Sequence, residues 1–183
     1  MTTAFLVLIL APFVVVLLAA LSVRHDLFLM RSSYPWVLAL ALIAAPATLV
    51  IEWGVHNAVA WARSGRFLHA IALHGFWQGR RSAIQFALLV LIAFAEEVVF
   101  RQIWIGVLEH TFGFAPPAAL IASATIYAVN HLHFGWSAVL AKFAAGLVYG
   151  GLFLLDDRSI WSPFLAHALQ NAILLSVPAK HDD

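Results

Sequence analysis

The chain has 183 residues, of which 63% are hydrophobic and 10% charged, whereas soluble domains carry roughly 25% charged residues. So few charges cannot cover the surface of a water-soluble globule of one domain's length, and an integral membrane protein is the reading that remains. Ten Lys and Arg against nine Asp and Glu leave a net charge of +1, with no basic excess to suggest nucleic-acid binding. The absence of cysteine removes disulfides, thiolate metal sites, iron–sulfur clusters and cysteine nucleophiles.

A membrane-crossing helix needs about 20 mostly apolar residues, and six segments qualify. The first, Thr3–Val23, has no basic stretch before it and no A-x-A-like site after it, so it reads as a retained helix. The second covers residues 34–55 and contains Pro46, which predicts a kink. The third covers residues 83–105 and carries Glu96, Glu97 and Arg101 in its C-terminal half. The fourth, 115–130, opens on Pro116 and Pro117, tolerated in a first helical turn. The fifth is Trp136–Leu155 and the sixth 160–177, with Asp156, Asp157 and Arg158 as the polar turn between them. No segment alternates as barrel strands do, and backbone groups cannot go unpaired in lipid. The fold class is therefore all-α, a polytopic transmembrane helical bundle of about six spans.

Trp36, Trp53, Trp77, Trp104, Trp136 and Trp161 all fall near these span ends, at the headgroup level that tryptophan prefers. Between spans two and three, residues 56–82 hold Trp61, Arg63, Arg66, His69, His74, Arg80 and Arg81 among apolar residues. Two readings stay open for it: an interfacial amphipathic helix, or a loop after a slightly longer second helix. Its four Lys and Arg, against Arg24 and Arg31 in the first loop and one or none in the others, place this stretch and both termini on the cytoplasmic side. No repeat or linker divides the chain. A single integral membrane domain, 1–183, is expected, with N-terminal spans and basic loop in 1–82 and the remaining spans, which carry most of the intramembrane polar residues, in 83–177.

Function has to come from polar residues that the bilayer should have excluded, each costing at least about 2.5 kcal/mol at mid-membrane when charged. These are Glu96, Glu97 and Arg101 on span three, Asn130, His131 and His133 at the end of span four, Lys142 on span five, and His167, Gln170 and Asn171 on span six. Lys142 lies near the start of its span, and the plainest expectation for it is an anchor that snorkels to the interface. His133 reads most simply as interhelical hydrogen-bonding glue. The remaining set is harder to explain as packing. Glu97 and Arg101 stand four apart, as do His167 and Asn171, so each pair shares a helix face, while Glu96 is turned by about 100° from Glu97. With His131 from span four, spans three, four and six can converge on a carboxylate, two imidazoles and a carboxamide. That set provides a general base surrounded by hydrogen-bond donors, suited to attack of water on a carbonyl.

The run Glu96-Glu97-Val98-Val99-Phe100-Arg101 resembles the EExxxR motif of the CPBP family, the intramembrane glutamic proteases that include type II CAAX prenyl endopeptidases and bacteriocin-processing or self-immunity proteins. Tyr127 to His131 is similar to the family's FxxxH motif, with Tyr127 in place of Phe. Phe143, Gly146 and Gly150 fit FxxGxxxG, and His167 to Asn171 matches HxxxN. The four motifs occur in order over about residues 83–175. The resemblance implies that Glu96 and His131 activate the hydrolytic water, that His167 and Asn171 hold the oxyanion, and that Glu97 with Arg101 positions Glu96. It implies no cofactor and no metal. The added hydroxyl of Tyr127 must find a partner. Gly146, Gly150 and Gly151 are expected to let span five pack closely against its neighbours.

Two other readings remain at this stage. A glutamate with two histidines can ligate zinc, although HExxH is absent and no two histidines stand at i, i+4. A non-enzymatic membrane peptide-binding, immunity or transport protein would use the same polar pocket without hydrolysis. The partners implied are the lipid bilayer and a membrane-associated peptide or protein: a prenylated tail, a leader peptide or a C-terminal sorting tail. With no soluble domain in the sequence, the scissile bond is expected near or within the membrane. The compact chain fits a multi-pass protein of a prokaryotic inner membrane.

Overall fold

The computed structural model describes residues 2–23, 31–67 and 82–176. Six helices account for nearly all of them: α1 (Thr3–Val23), α2 (Pro35–Ser64), α3 (Ala83–His110), α4 (Pro116–Val129), α5 (Trp136–Leu155) and α6 (Trp161–Ser176), with a single 3-10 turn at Leu132–Phe134 between α4 and α5. No strand occurs among the described residues. Residues 24–30 and 68–81, which include Arg24, His69, His74, Trp77, Arg80 and Arg81, lie outside the described residues.

Four helices, α1, α2, α3 and α5, are long and apolar enough to cross a bilayer. The other two helices, α4 and α6, are shorter, with 14 and 16 described residues, rises of about 21 and 24 Å against about 30 Å of hydrocarbon, and they complete the expected six-helix bundle. Helix α2 departs the other way, running through Pro46 to Ser64 over 30 residues, well past the expected end near residue 55. A glycine in left-handed conformation, Gly65 at φ 64°, closes it, its N–H donating to the carbonyl of Trp61. Trp36 and Trp53 are about 26 Å apart along this helix, close to one hydrocarbon thickness. The described part of the basic stretch, as far as Ser64, is therefore a continuation of α2 beyond that span. Trp53 and Trp104 accordingly sit inside helices and not at their ends.

Local chemistry fixes the other boundaries. Helix α3 starts with a reciprocal cap in which Gln85 N–H donates to Ser82 Oγ (3.2 Å) and Ser82 N–H donates to Gln85 Oε1 (3.1 Å). Its central part, Val98–Ile105, widens into π-helical turns directly after the two glutamates, a distortion that favours functional sites. Ser123 on α4 donates its hydroxyl to the Phe100 carbonyl within this segment. At the opposite end, the turn after α5 fastens three connections together. Buried Asp156 accepts from Tyr34 N–H at the start of α2 (2.8 Å), Arg31 pairs with Asp157 (2.6 Å), and Arg158 grips Glu109 through Nε (3.0 Å) and Nη2 (2.7 Å).

Small residues bring the helices close. A Cβ at Gly146 would stand 3.1 Å from the Tyr127 ring and 3.2 Å from Ala124 Cβ, and one at Gly150 would collide with Leu120. These two glycines seat α5 against α4, as a close-packing stripe in a membrane requires. Gly151 meets nothing within 4 Å, so the expected packing role does not extend to it. A core of Val37, Ala41, Ala145, Tyr149, Leu152 and Ala166 joins α2, α5 and α6, and another of Phe13, Ala95, Val99, Phe100 and Tyr127 joins α1, α3 and α4. Between these two cores lies the polar centre of the molecule.

Candidate active site

The two adjacent glutamates are separated by the helix that carries them. Glu97 is wholly buried and held on two sides: Arg101 Nε lies 3.1 Å from its Oε2, and His167 Nδ1 lies 2.9 Å from its Oε1. Arg101 is equally buried, with its guanidinium carbon 4.9 Å from the centre of the Tyr127 ring. Glu96 points elsewhere. It lines a cavity of about 1170 Å³ to which every helix contributes, and its Oε2 is 3.7 Å from His167 Nε2. His167 therefore stands between the two carboxylates: Nδ1 is committed to Glu97, and Nε2 is the ring edge left for Glu96 and the cavity.

His167 is also fixed from its faces. Tyr149 stacks on it with centroids 5.1 Å apart and planes at 17°, while Tyr127 presents an edge at 6.4 Å. The Tyr149 hydroxyl donates to Gln170 Oε1, one helical turn further along α6. The ring orientation is thereby determined by packing and hydrogen bonding together. His131 follows α4, where the chain leaves helical geometry. Its Nδ1–H donates to the Tyr127 carbonyl (2.9 Å). That bond leaves Nε2 as the unprotonated nitrogen, and His131 lines the cavity that Glu96 faces.

The six residues expected from sequence thus come together, in two layers. Glu96, His131, His167 and Asn171 line the cavity, whereas Glu97 and Arg101 lie behind it as a buried pair. His133, expected as interhelical glue, is exposed on the 3-10 turn with its ring against Phe134. The Tyr127 hydroxyl is buried and has no hydrogen-bond partner among the described residues, contrary to the expectation that it find one; the ring earns its place through the Arg101, Phe100 and His131 contacts. Lys142, expected as a snorkelling anchor, turns inward and pairs with Glu52 on α2 (2.7 Å), and both residues line the cavity. Glu52 had gone unnoticed. A carboxylate inside the apolar run of span two, matched by a lysine inside span five, was the available signal.

Paired glutamates, imidazoles and a carboxamide thus meet around an internal cavity of an all-helical bundle with membrane-spanning helices. The chain belongs to the type II CAAX prenyl endopeptidase Rce1-like family, whose sequence pattern matches residues 81–173, just over half its length. The resemblance to the CPBP proteases drawn from the four motifs is thereby borne out, and the protein is an integral membrane protein of a CAAX-type protease family. No curated protein and no solved structure matches the chain.

Proposed function

We propose that the protein is a glutamic intramembrane endopeptidase that hydrolyses a peptide bond of a membrane-associated protein or peptide, near or within the bilayer. The observation that carries this reading is the division of labour between the two glutamates: Glu97 is ion-paired with Arg101 and bonded to His167, while its neighbour Glu96 faces the cavity opposite His131. One carboxylate is structural and the other is available to water.

In the proposed reaction, Glu96 and His131 Nε2 hold a water, one of them takes its proton, and the water oxygen bonds to the scissile carbonyl carbon. The carbonyl electrons move onto oxygen, and the tetrahedral oxyanion accepts hydrogen bonds from Asn171 Nδ2 and, with His167 as an imidazolium whose Nδ1–H stays on Glu97, from His167 Nε2–H. Collapse re-forms the C=O bond, breaks the C–N bond, and returns the abstracted proton to the leaving amine. Arg101 and Glu97 position His167 and the backbone of Glu96 without touching substrate. The chemistry occupies the core 83–177 of a single membrane domain, and a prokaryotic inner membrane is the proposed setting.

The test is a comparison of peptide termini, in membranes and in medium, from host cells carrying either the wild-type chain or Glu96→Gln. A terminus that appears only with wild type identifies the substrate and places Glu96 in the mechanism. Identical termini in both, with a phenotype that survives the substitution, would refute the reading in favour of a peptide-binding or immunity protein.

A further inference from the structure

His167 has two tasks in the proposed reaction, and its bond to Glu97 secures only one of them. Nδ1–H stays on Glu97 Oε1 at 2.9 Å, while Nε2 has to be aimed into the cavity that Glu96, His131 and Asn171 line. The torsion that turns an imidazole about its Cβ–Cγ bond is broad, and a hydrogen bond tolerates an appreciable bend. The bond to Glu97 therefore leaves the ring room to tilt, and a tilt carries Nε2 away from its target.

Tyr149 on α5 removes that freedom. Its ring lies 5.1 Å from the imidazole, centroid to centroid, with 17° between the planes, and among the described residues no other ring stacks on His167, since Tyr127 offers only an edge at 6.4 Å. Tyr149 is fully buried and packed with Val37, Ala41, Ala145, Leu152 and Ala166. Its hydroxyl donates to Gln170 Oε1, and Thr48 Oγ1 of α2 stands 3.5 Å from the same hydroxyl. Gln170 follows His167 by three residues on α6, so the helix that carries the imidazole also carries the acceptor that holds the stacked ring. Tyr149 is not among the described residues that line the cavity. Any effect it has on the reaction passes through His167.

We propose that Tyr149 is a positioning residue for the hydrolysis, which fixes the plane of His167 so that Nε2–H meets the oxyanion. The inference rests on His167 being an oxyanion donor of the proposed endopeptidase. The two parts of the side chain have separate effects. The ring sets the plane of the imidazole and hence the rate, whereas the hydroxyl, held by Gln170, keeps the ring in place and contributes to stability. The oxyanion exists only in the transition state and the intermediate, so a tilted His167 lowers kcat and leaves KM nearly unchanged.

The test uses the full-length protein in nanodiscs and a fluorogenic S-prenylated Cys-aliphatic-aliphatic-Xaa peptide. Tyr149→Leu is expected to lower kcat about tenfold to a hundredfold, the cost of misplacing a reacting group by about 1 Å, with KM within about twofold of wild type. Tyr149→Phe keeps the stack and is expected to bring kcat back to within about threefold of wild type, at a lower unfolding midpoint because Gln170 Oε1 loses its donor. Introduced into a His167→Gln protein, Tyr149→Leu is expected to cause no further loss, because the residue it positions is gone. Tyr149→Met repeats the measurement where Tyr149→Leu does not fold. The inference is overturned by a Tyr149→Leu rate within about threefold of wild type, by a loss carried in KM, by Tyr149→Phe being as slow as Tyr149→Leu, or by a further loss of about tenfold or more in the His167→Gln background. Failure of both Tyr149→Leu and Tyr149→Met to fold assigns Tyr149 to core packing and overturns it too, as does a wild-type chain that leaves the peptide uncut. The endopeptidase reading is judged separately, by whether Glu96→Gln abolishes the cleaved termini in cells.

Discussion

Replacing Arg101 by Met removes the one guanidinium that balances a carboxylate in the middle of the bundle. Both partners are fully buried, the Nε to Oε2 distance is 3.1 Å, and the second oxygen of Glu97 is taken by His167 at 2.9 Å. The substitution leaves Glu97 with a single neighbour and no solvent to screen it, and breaking a buried pair from one side costs about 3–5 kcal/mol. The contact of the guanidinium with the Tyr127 ring is lost as well. In a chain of this length, about 2–4 °C per kcal/mol converts the loss to a fall of about 6–20 °C in the unfolding midpoint. The assay is thermal unfolding of the purified protein in mild detergent at matched scan rates, alongside peptide cleavage. Combining Arg101→Met with Glu97→Gln removes both charges while Gln Oε1 still accepts from His167, and most of the lost stability is expected to return. An Arg101→Met protein as stable as wild type, or a double variant no better than the single, would refute the reasoning, since either outcome means that Glu97 does not depend on Arg101.

Four further outcomes are expected. Glu96→Gln lowers the cleavage rate by about 10²- to 10⁴-fold, the usual weight of a general base, with an unchanged unfolding midpoint; a rate within tenfold of wild type assigns the base elsewhere. Asn171→Ala costs about 10²- to 10³-fold as the loss of one oxyanion donor, measured as kcat at saturating substrate, and a pure KM effect would contradict that role. Tyr127→Phe deletes a buried hydroxyl that has no partner among the described residues, so stability is held or gained and cleavage retained; a drop of more than tenfold in activity would show that the hydroxyl acts in the reaction. Gly146→Val drives a branched side chain into Tyr127 and Ala124 at a cost of about 1–3 kcal/mol, whereas Gly151→Ala, which meets nothing, is neutral in the same unfolding assay.

Membrane character, helical class and the polar residues of the site were all legible in the sequence, because the bilayer penalises polar groups so strongly that the few tolerated ones stand out against the apolar background. Spacing alone put Glu97 with Arg101 and His167 with Asn171 on shared helix faces, and the structure keeps the first as a 3.1 Å pair. Helix ends were less legible. Hydropathy reads how long a segment is apolar, so it could not say that α2 continues as a regular helix past the hydrocarbon to Ser64. The π-helical turns at Val98–Ile105 had no sequence signature either, and the bond that Ser123 on α4 gives to the Phe100 carbonyl within them is a contact between distant segments.

Which partner each polar group takes was decided by tertiary structure. The family resemblance implied an oxyanion role for His167. Only the approach of α6 to α3 set its ring between Glu97 and Glu96, with Tyr149 stacked on its face. Sequence likewise gave Lys142 a route to the interface, and the packing of α5 against α2 gave it Glu52 instead. The physical reason is the range of the interactions. Transfer from water to lipid acts on each residue separately and is written into the order of the chain, whereas an ion pair or a stacked ring needs two side chains from distant segments within a few ångströms.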